Sequence, residues 1–202
     1  MRLLLVTGFL GSGKTTLIVA LAKRATASGL RVAVIVNEVG EVGIDGSVFR
    51  LGDLEVTEIT AGCICCQIGV DLVVTLRDLE TGFQPDLVIV EATGIATPEG
   101  VLDTLRRYPV ETVAEIVTLT VVDATRCEAL YEVLTPLIES QITGADLIAV
   151  TKSDEALAAE VEGAVGLVGT LAPGLPVHVV DATVDGSLSE LARVLIGRAA
   201  QA

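Results

Sequence analysis

The sequence predicts an α/β fold: a mostly parallel β-sheet covered by helices on both faces. Three observations lead there. Apolar runs bounded by turn residues alternate with segments of helical period, the pattern of repeated βαβ units. A glycine-rich segment, Gly8 to Thr15, stands directly between the first apolar run and the first helical pattern. The composition is rich in Val, Leu, Ile and Ala, with 2% aromatic residues, so aliphatic packing has to hold the layers together.

Taken in order, strands are expected at 3–7, 32–36, 87–91, 116–122, 147–150 and 177–180. Helices are expected at 14–27, 70–79, 99–106, 125–138, 155–171 and 188–196, each following a strand. The segment 37–67 breaks this rhythm. It is rich in Gly and acidic residues, with a single short strand candidate at 55–59, and a connection of that length is more often functional than idle.

The 202 residues suit one domain, which at this size buries roughly 70% of the unfolded chain's surface. There is no internal repeat, low-complexity tract or Pro-rich linker, so a single domain over 1–202 is expected. The net charge of -14 argues against nucleic-acid and anionic-membrane surfaces, because phosphates would be repelled. The opening apolar run stops at Thr7, too early for a signal peptide, and no stretch approaches a membrane span. A cytoplasmic location is therefore expected, where thiols stay reduced and clustered cysteines point to metal or redox chemistry.

Gly8-Phe9-Leu10-Gly11-Ser12-Gly13-Lys14-Thr15 satisfies the phosphate-loop pattern in its proper context, after a strand and opening a helix, so the fold is expected to be that of a P-loop NTPase. Gly8, Gly11 and Gly13 let the backbone curl, so that the N–H groups around Ser12 and the helix N-terminus face phosphate oxygens. Lys14 would reach the β- and γ-phosphates, and Thr15, followed by Thr16, would offer its hydroxyl to Mg²⁺. Downstream, a buried strand ends in Glu91, a candidate for holding Mg²⁺ or its water, and Gly94 can present an N–H to the γ-phosphate. Thr151-Lys152-Ser153-Asp154 follows a later strand. Asp154 could accept both the ring N–H and the exocyclic amine of guanine, which adenine does not supply, while the Lys152 stem lies against the base. Thr151 stands where such motifs carry Asn, which would remove one hydrogen-bonding arm. Asp181 and Ala182, after the last strand, would sit near the guanine oxygen.

Three of the four cysteines fall within Cys63-Ile64-Cys65-Cys66. At that spacing they are badly placed for a relaxed disulfide but can converge as thiolates on one borderline-soft ion. Glu38, Glu41, Cys127 and His178 are further possible ligands. His178, within a strand, reads more readily as a core imidazole, and Cys127, heading a helix, as packing. Glu41 is preferred, because its loop can approach the γ-phosphate and the cysteines together.

Five ordered segments carry a family resemblance: Thr7 through Thr16; Asn37-Glu38-Val39-Gly40-Glu41-Val42-Gly43-Ile44-Asp45; Gly62-Cys63-Ile64-Cys65-Cys66; Glu91-Ala92-Thr93-Gly94-Ile95-Ala96-Thr97-Pro98; and Thr151-Lys152-Ser153-Asp154. Over residues 1 to about 155 the chain resembles CobW-type GTPases, which are related to the nickel-delivery GTPases UreG and HypB. The resemblance implies that GTP binding creates or closes a site for Zn²⁺, Co²⁺ or Ni²⁺, and that hydrolysis releases the metal to a client metalloprotein or cofactor-assembly enzyme. It implies metal ligation by Cys63, Cys65 and Cys66, with Thr15 on Mg²⁺. The separate C-terminal domain and the His-rich tract of longer relatives do not follow, so client recognition by that domain is not carried over.

If the 37–45 segment orders around γ-phosphate and Mg²⁺, as switch segments do, the metal ligands gather only in the triphosphate state. Glu38 is then a candidate for orienting the attacking water, a solvated loop acid being the alternative. Two other classes fit the thiols: a dimeric iron–sulfur reductive activator with cysteines from both subunits, and a GTPase chaperone of a corrinoid or other metalloenzyme that handles no free metal. A small-molecule kinase fits less well, since no acceptor-binding lid is evident. A homodimer suits any of these.

Overall fold

The computed structural model describes residues 1–38, 48–51, 54–60, 67–181 and 185–197. Among them, eight strands form one sheet in the order β3-β4-β2-β5-β1-β6-β7-β8. These are β1 (Arg2–Thr7), β2 (Val32–Glu38), β3 (Val48–Leu51), β4 (Leu54–Thr60), β5 (Leu87–Glu91), β6 (Glu115–Asp123), β7 (Leu147–Thr151) and β8 (Val177–Val179). All neighbours pair in parallel except β3, which lies antiparallel on β4. The helices are α1 (Lys14–Ala27), α2 (Gln67–Thr81), α3 (Pro98–Arg107), α4 (Cys127–Thr143), α5 (Ala158–Leu171) and α6 (Asp185–Gly197).

Alternation along each strand assigns the layers. In β1, Leu4 and Val6 face α1 and α6, in a core with Leu17, Leu21, Leu191 and Leu195. Leu3 and Leu5 face the opposite side, where Leu72 and Leu76 of α2 and Leu105 of α3 pack. The same face continues under α4 and α5, with Ile148 and Val150 against Ile142, Ala164 and Val168. β1, β5 and β7 are buried along their whole length, as continuous apolar runs in a covered parallel sheet must be.

Several boundaries differ from those the periodicity predicts. β3 is not anticipated in the irregular 37–67 segment; Phe49-Arg50-Leu51 is too short to register as a run and gains its place by pairing with β4. α4 begins at Cys127 rather than residue 125, because the Thr125 N–H and hydroxyl are both held by the Asp123 carboxylate. It runs on past residue 138 to Thr143, kinked at Leu134 two residues ahead of Pro136, whose ring lacks an N–H. α5 starts at Ala158 rather than 155. The preceding residues form a turn in which the Glu155 and Ala156 N–H groups both donate to the Lys152 carbonyl, and Glu160 accepts from the Leu157 N–H as a cap.

Candidate functional site

The C-terminal ends of β1, β5, β6 and β7 meet at one edge of the sheet, where parallel α/β sheets place ligands. Leaving β1, the chain turns through Gly8, Gly11 and Gly13, with φ of +131°, +74° and +86°, a backbone path that only glycine follows without strain. Gly8 has a second reason to be glycine: a Cβ there would run into the Val121 carbonyl of β6. Within the loop from Leu10 to Thr15, Ser12 is the one residue among the described residues whose N–H donates to a backbone carbonyl, that of Phe9 at 3.2 Å. The loop thus leads into the N-terminus of α1, the kind of position where backbone N–H groups and the helix dipole favour an anion.

Lys14 is buried, and its ammonium donates to the carbonyls of Gly8 (3.0 Å) and Phe9 (3.2 Å). Burial holds its pKa below the ordinary lysine value, opposed by the nearby Glu91 carboxylate. Thr15 donates its hydroxyl to both oxygens of Glu91, at 2.9 and 3.0 Å, joining the first turn of α1 to the end of β5. Thr16, next along α1, is exposed. Beyond β5, Gly94 passes so close to the loop that a Cβ would lie 2.6 Å from the Leu10 nitrogen. The side-chain amide of Gln141, on α4, secures this crossing by donating to the Gly94 and Ala96 carbonyls at 3.2 and 3.0 Å. The Gln141 carbonyl in turn accepts from Thr120 at 2.7 Å, and Thr120 bonds to Thr7 at 2.7 Å.

A second group lies at the ends of β6 and β7. Thr151 is buried and donates its hydroxyl to the Ser12 carbonyl at 2.7 Å. The shorter threonine at this position thus reaches the phosphate loop. Lys152 takes a left-handed conformation, φ +58°, and places its ammonium 2.8 Å from Asp123 Oδ2. That same oxygen accepts from Arg126 Nε at 2.8 Å, while Oδ1 accepts from the Thr125 N–H and hydroxyl. Burial works to raise the Asp123 pKa, but the hydrogen bonds from Lys152, Thr125 and Arg126 prevail and hold it below the usual carboxylate value. Asp154 is exposed, at the turn after β7. Asp181 ends the run after β8, its N–H donating to the Ser187 hydroxyl and its carbonyl accepting from that hydroxyl.

Glu38 is the last residue of β2, at this same edge of the sheet. The expected positions Glu41, Cys63, Cys65, Cys66 and Ala182 lie outside the described residues. Cys127 is buried in the α4 core, and burial, aided by Glu128 and Asp123, pushes its thiol pKa up to about 11, so it packs as a hydrophobe. His178 is not a core imidazole but a half-buried residue of β8, which among the described residues is the last strand of the sheet.

Sequence reasoning did not single out Asp123, Arg126 or Gln141. Asp123 could have been found, since it ends an apolar strand as Glu91 does. Gln141 carries no such signal. The Ser12 hydroxyl has no hydrogen-bond partner among the described residues. It lines a cavity of about 20 Å³ with Thr120, Asp123, Cys127 and Gln141, room for a single water.

Comparison with known proteins gives a consistent result. The family model described as CobW/HypB/UreG, nucleotide-binding domain, matches residues 2–178. The chain is 33% identical over 178 residues to the zinc chaperone CobW of Sinorhizobium sp, covering 74% of this chain and 50% of that protein. It is 36% identical over 151 residues to the zinc chaperone YeiR of Escherichia coli strain K12, covering 74% and 46%. The chain thus spans about half the length of the curated relatives it matches. Among solved structures, the Zn(II)-bound YjiA GTPase from E. coli superposes with a TM-score of 0.61 at 28% identity, over 92% of this chain and 58% of that one. The hydrogenase maturation factor HypB from Archaeoglobus fulgidus, at 16% identity, shares the fold with a TM-score of 0.68, over 98% and 90%.

Proposed function

Since the chain belongs to the CobW/HypB/UreG nucleotide-binding domain family, we propose that it binds and hydrolyses GTP and uses that cycle to gate a transition-metal site at Cys63, Cys65 and Cys66, passing the metal to a client protein. One observation carries the nucleotide part: the junction at the end of β1, where a buried Lys14 ammonium rests on two loop carbonyls and Thr15 is bonded to Glu91. A phosphate arriving at the loop N–H groups offers the Lys14 ammonium an anionic partner in place of two neutral carbonyls, and in a buried site the attraction of opposite charges exceeds that of a charge for a carbonyl dipole.

The Thr15 hydroxyl and the Glu91 carboxylate are hard oxygen donors held within 2.9 Å, and they suit Mg²⁺. When bound there, Mg²⁺ would neutralise charge that develops in phosphoryl transfer. The chain's own residues do the rest. Lys14 and the loop N–H groups hold the β- and γ-phosphates, Gly94 offers an N–H at the γ-phosphate, and Asp154 accepts from guanine, with Lys152, Asp181 and Ala182 beside the base. Glu38, the last residue of β2, is our candidate for orienting the attacking water. Thiolates at Cys63, Cys65 and Cys66, with the harder Glu41 carboxylate beside them, form a mixed donor set for Zn²⁺, Co²⁺ or Ni²⁺ as cargo. The similarity to proteins named as zinc chaperones favours zinc. The domain acts as one unit over 1–202, and a homodimer is compatible with the scheme.

Anaerobic titration of Co²⁺ into the reduced protein, with Mg²⁺ and either GDP or a non-hydrolysable GTP analogue, tests this. Thiolate-to-cobalt absorption that is strong with the analogue and weak with GDP is the expected result. Equal affinity in both states removes the gating, and no absorption in either removes the metal site.

A further inference from the structure

Arg126 joins the two ends of the site. Its Nε donates to Asp123 Oδ2 at 2.8 Å, and its Nη2 donates to the Leu10 carbonyl of the phosphate loop at 3.0 Å. Asp123, whose side chain is 1% exposed, binds Lys152 through the same oxygen. A Cβ on Gly11 would lie 3.1 Å from Arg126 Nη2, so the guanidinium lies directly against the outer side of the loop at that residue.

The Leu10 carbonyl belongs to the same peptide as the Gly11 N–H. In a peptide, C=O and N–H point in opposite directions, so a cation on the outer carbonyl leaves the N–H aimed at the inner, anion-binding side. A guanidinium on the carbonyl also polarises the peptide and makes that N–H a stronger donor. Asp123 fixes the guanidinium at its other end and supplies a rigid link to Lys152.

We propose that Arg126 is a positioning residue for nucleotide phosphate: through the Leu10–Gly11 peptide it orients and strengthens the Gly11 N–H as a phosphate donor, and through Asp123 it ties that donor to the base-side Lys152. The proposal rests on the GTP-binding reading. It assigns Arg126 no contact with phosphate.

The test uses the full chain and the variants Arg126→Gln and Arg126→Lys. Calorimetric titration with Mg²⁺ and GDP, or a non-hydrolysable GTP analogue, is paired with the ¹⁵N–¹H shift of Gly11 in nucleotide-free protein. Arg126→Gln should raise Kd for both nucleotides about 10-fold, the effect expected of one hydrogen bond to a charged group. It should also move the Gly11 resonance before any nucleotide is added, and Arg126→Lys, which reaches one partner but not both, should fall between. Tight binding by wild type that neither variant changes overturns the proposal, as does a Gly11 resonance that stays in place. Failure of wild type to bind guanine nucleotide overturns the GTP-binding reading and takes the proposal with it. Arg126→Lys keeps the test open should Arg126→Gln not fold.

Discussion

The two ends of the site are built differently. At the phosphate end, Lys14, Thr15 and Glu91 are already engaged with the protein, through the Gly8 and Phe9 carbonyls and the Thr15–Glu91 pair. At the base end, Asp154 stands exposed on a turn, and the side chain held in place is its neighbour Lys152, by a buried Asp123. Phosphate is common to every nucleotide, so an end that binds it gains from donors aligned in advance. A base is distinguished by its edge, and an edge is read by a group presented outward on a fixed support. On the proposed GTP-binding reading, substitutions should separate affinity from specificity.

The largest effect should come from the phosphate end. Lys14→Ala removes the charge proposed to meet the β- and γ-phosphates, and the GTP analogue should lose about 100-fold or more in affinity in a fluorescence titration. GDP should weaken as well, with little change in guanine-over-adenine preference. A preference that collapses along with affinity would mean that the two ends are one cooperative unit.

Next in size, Asp154→Asn should act on selectivity. The carboxylate can accept from two N–H groups of guanine, whereas an amide presents one acceptor and a donor that faces the exocyclic amine. GTP affinity should fall about 10- to 100-fold, while XTP, with a carbonyl at that position, should bind the variant better than wild type. Equal losses for both nucleotides would remove Asp154 from base recognition.

Much of this division was legible in the chain. Local signals place the phosphate end, because Gly8, Gly11, Gly13 and Lys14 occupy fixed spacings after an apolar run, and the structure returns α1 at 14–27 and β5 at 87–91 with the expected bounds. The supports that hold the loop from outside were less visible. Arg126 reaches the Leu10 carbonyl across 116 residues of sequence, and Gln141 reaches Gly94 across 47. Such contacts follow from how α4 packs over β6, which no spacing within α4 encodes. The Thr151 contact with the loop was hidden for a related reason. The threonine hydroxyl is short, and only the close approach of β7 to the phosphate loop lets it reach Ser12.

That contact gives a smaller effect. Thr151→Val keeps the shape but leaves the Ser12 carbonyl without this donor, and should cost about 1–2 kcal/mol of unfolding free energy, measured by urea denaturation. Nucleotide affinity should drop less than in Lys14→Ala, since the loop retains its glycines and its lysine.

The smallest effects lie in the pH dependence, where two buried groups between the ends bracket the range. Asp123 is held below its ordinary value of 3.8 in the fold. Its hydrogen bonds therefore contribute fully above about pH 4 and are lost as pH falls through the folded value, so acid should loosen the support of Lys152 and Arg126. Cys127 is shifted the other way, from 9.0 to about 11. Between those values the unfolded thiol ionises while the folded one keeps its proton, so stability declines as pH rises from about 9 to 11. Melting curves across that range should drop by a few degrees for wild type and less for Cys127→Ala, whose overall stability is lower but whose alkaline limb is flatter. An unchanged limb in Cys127→Ala would assign the alkaline decline to groups elsewhere.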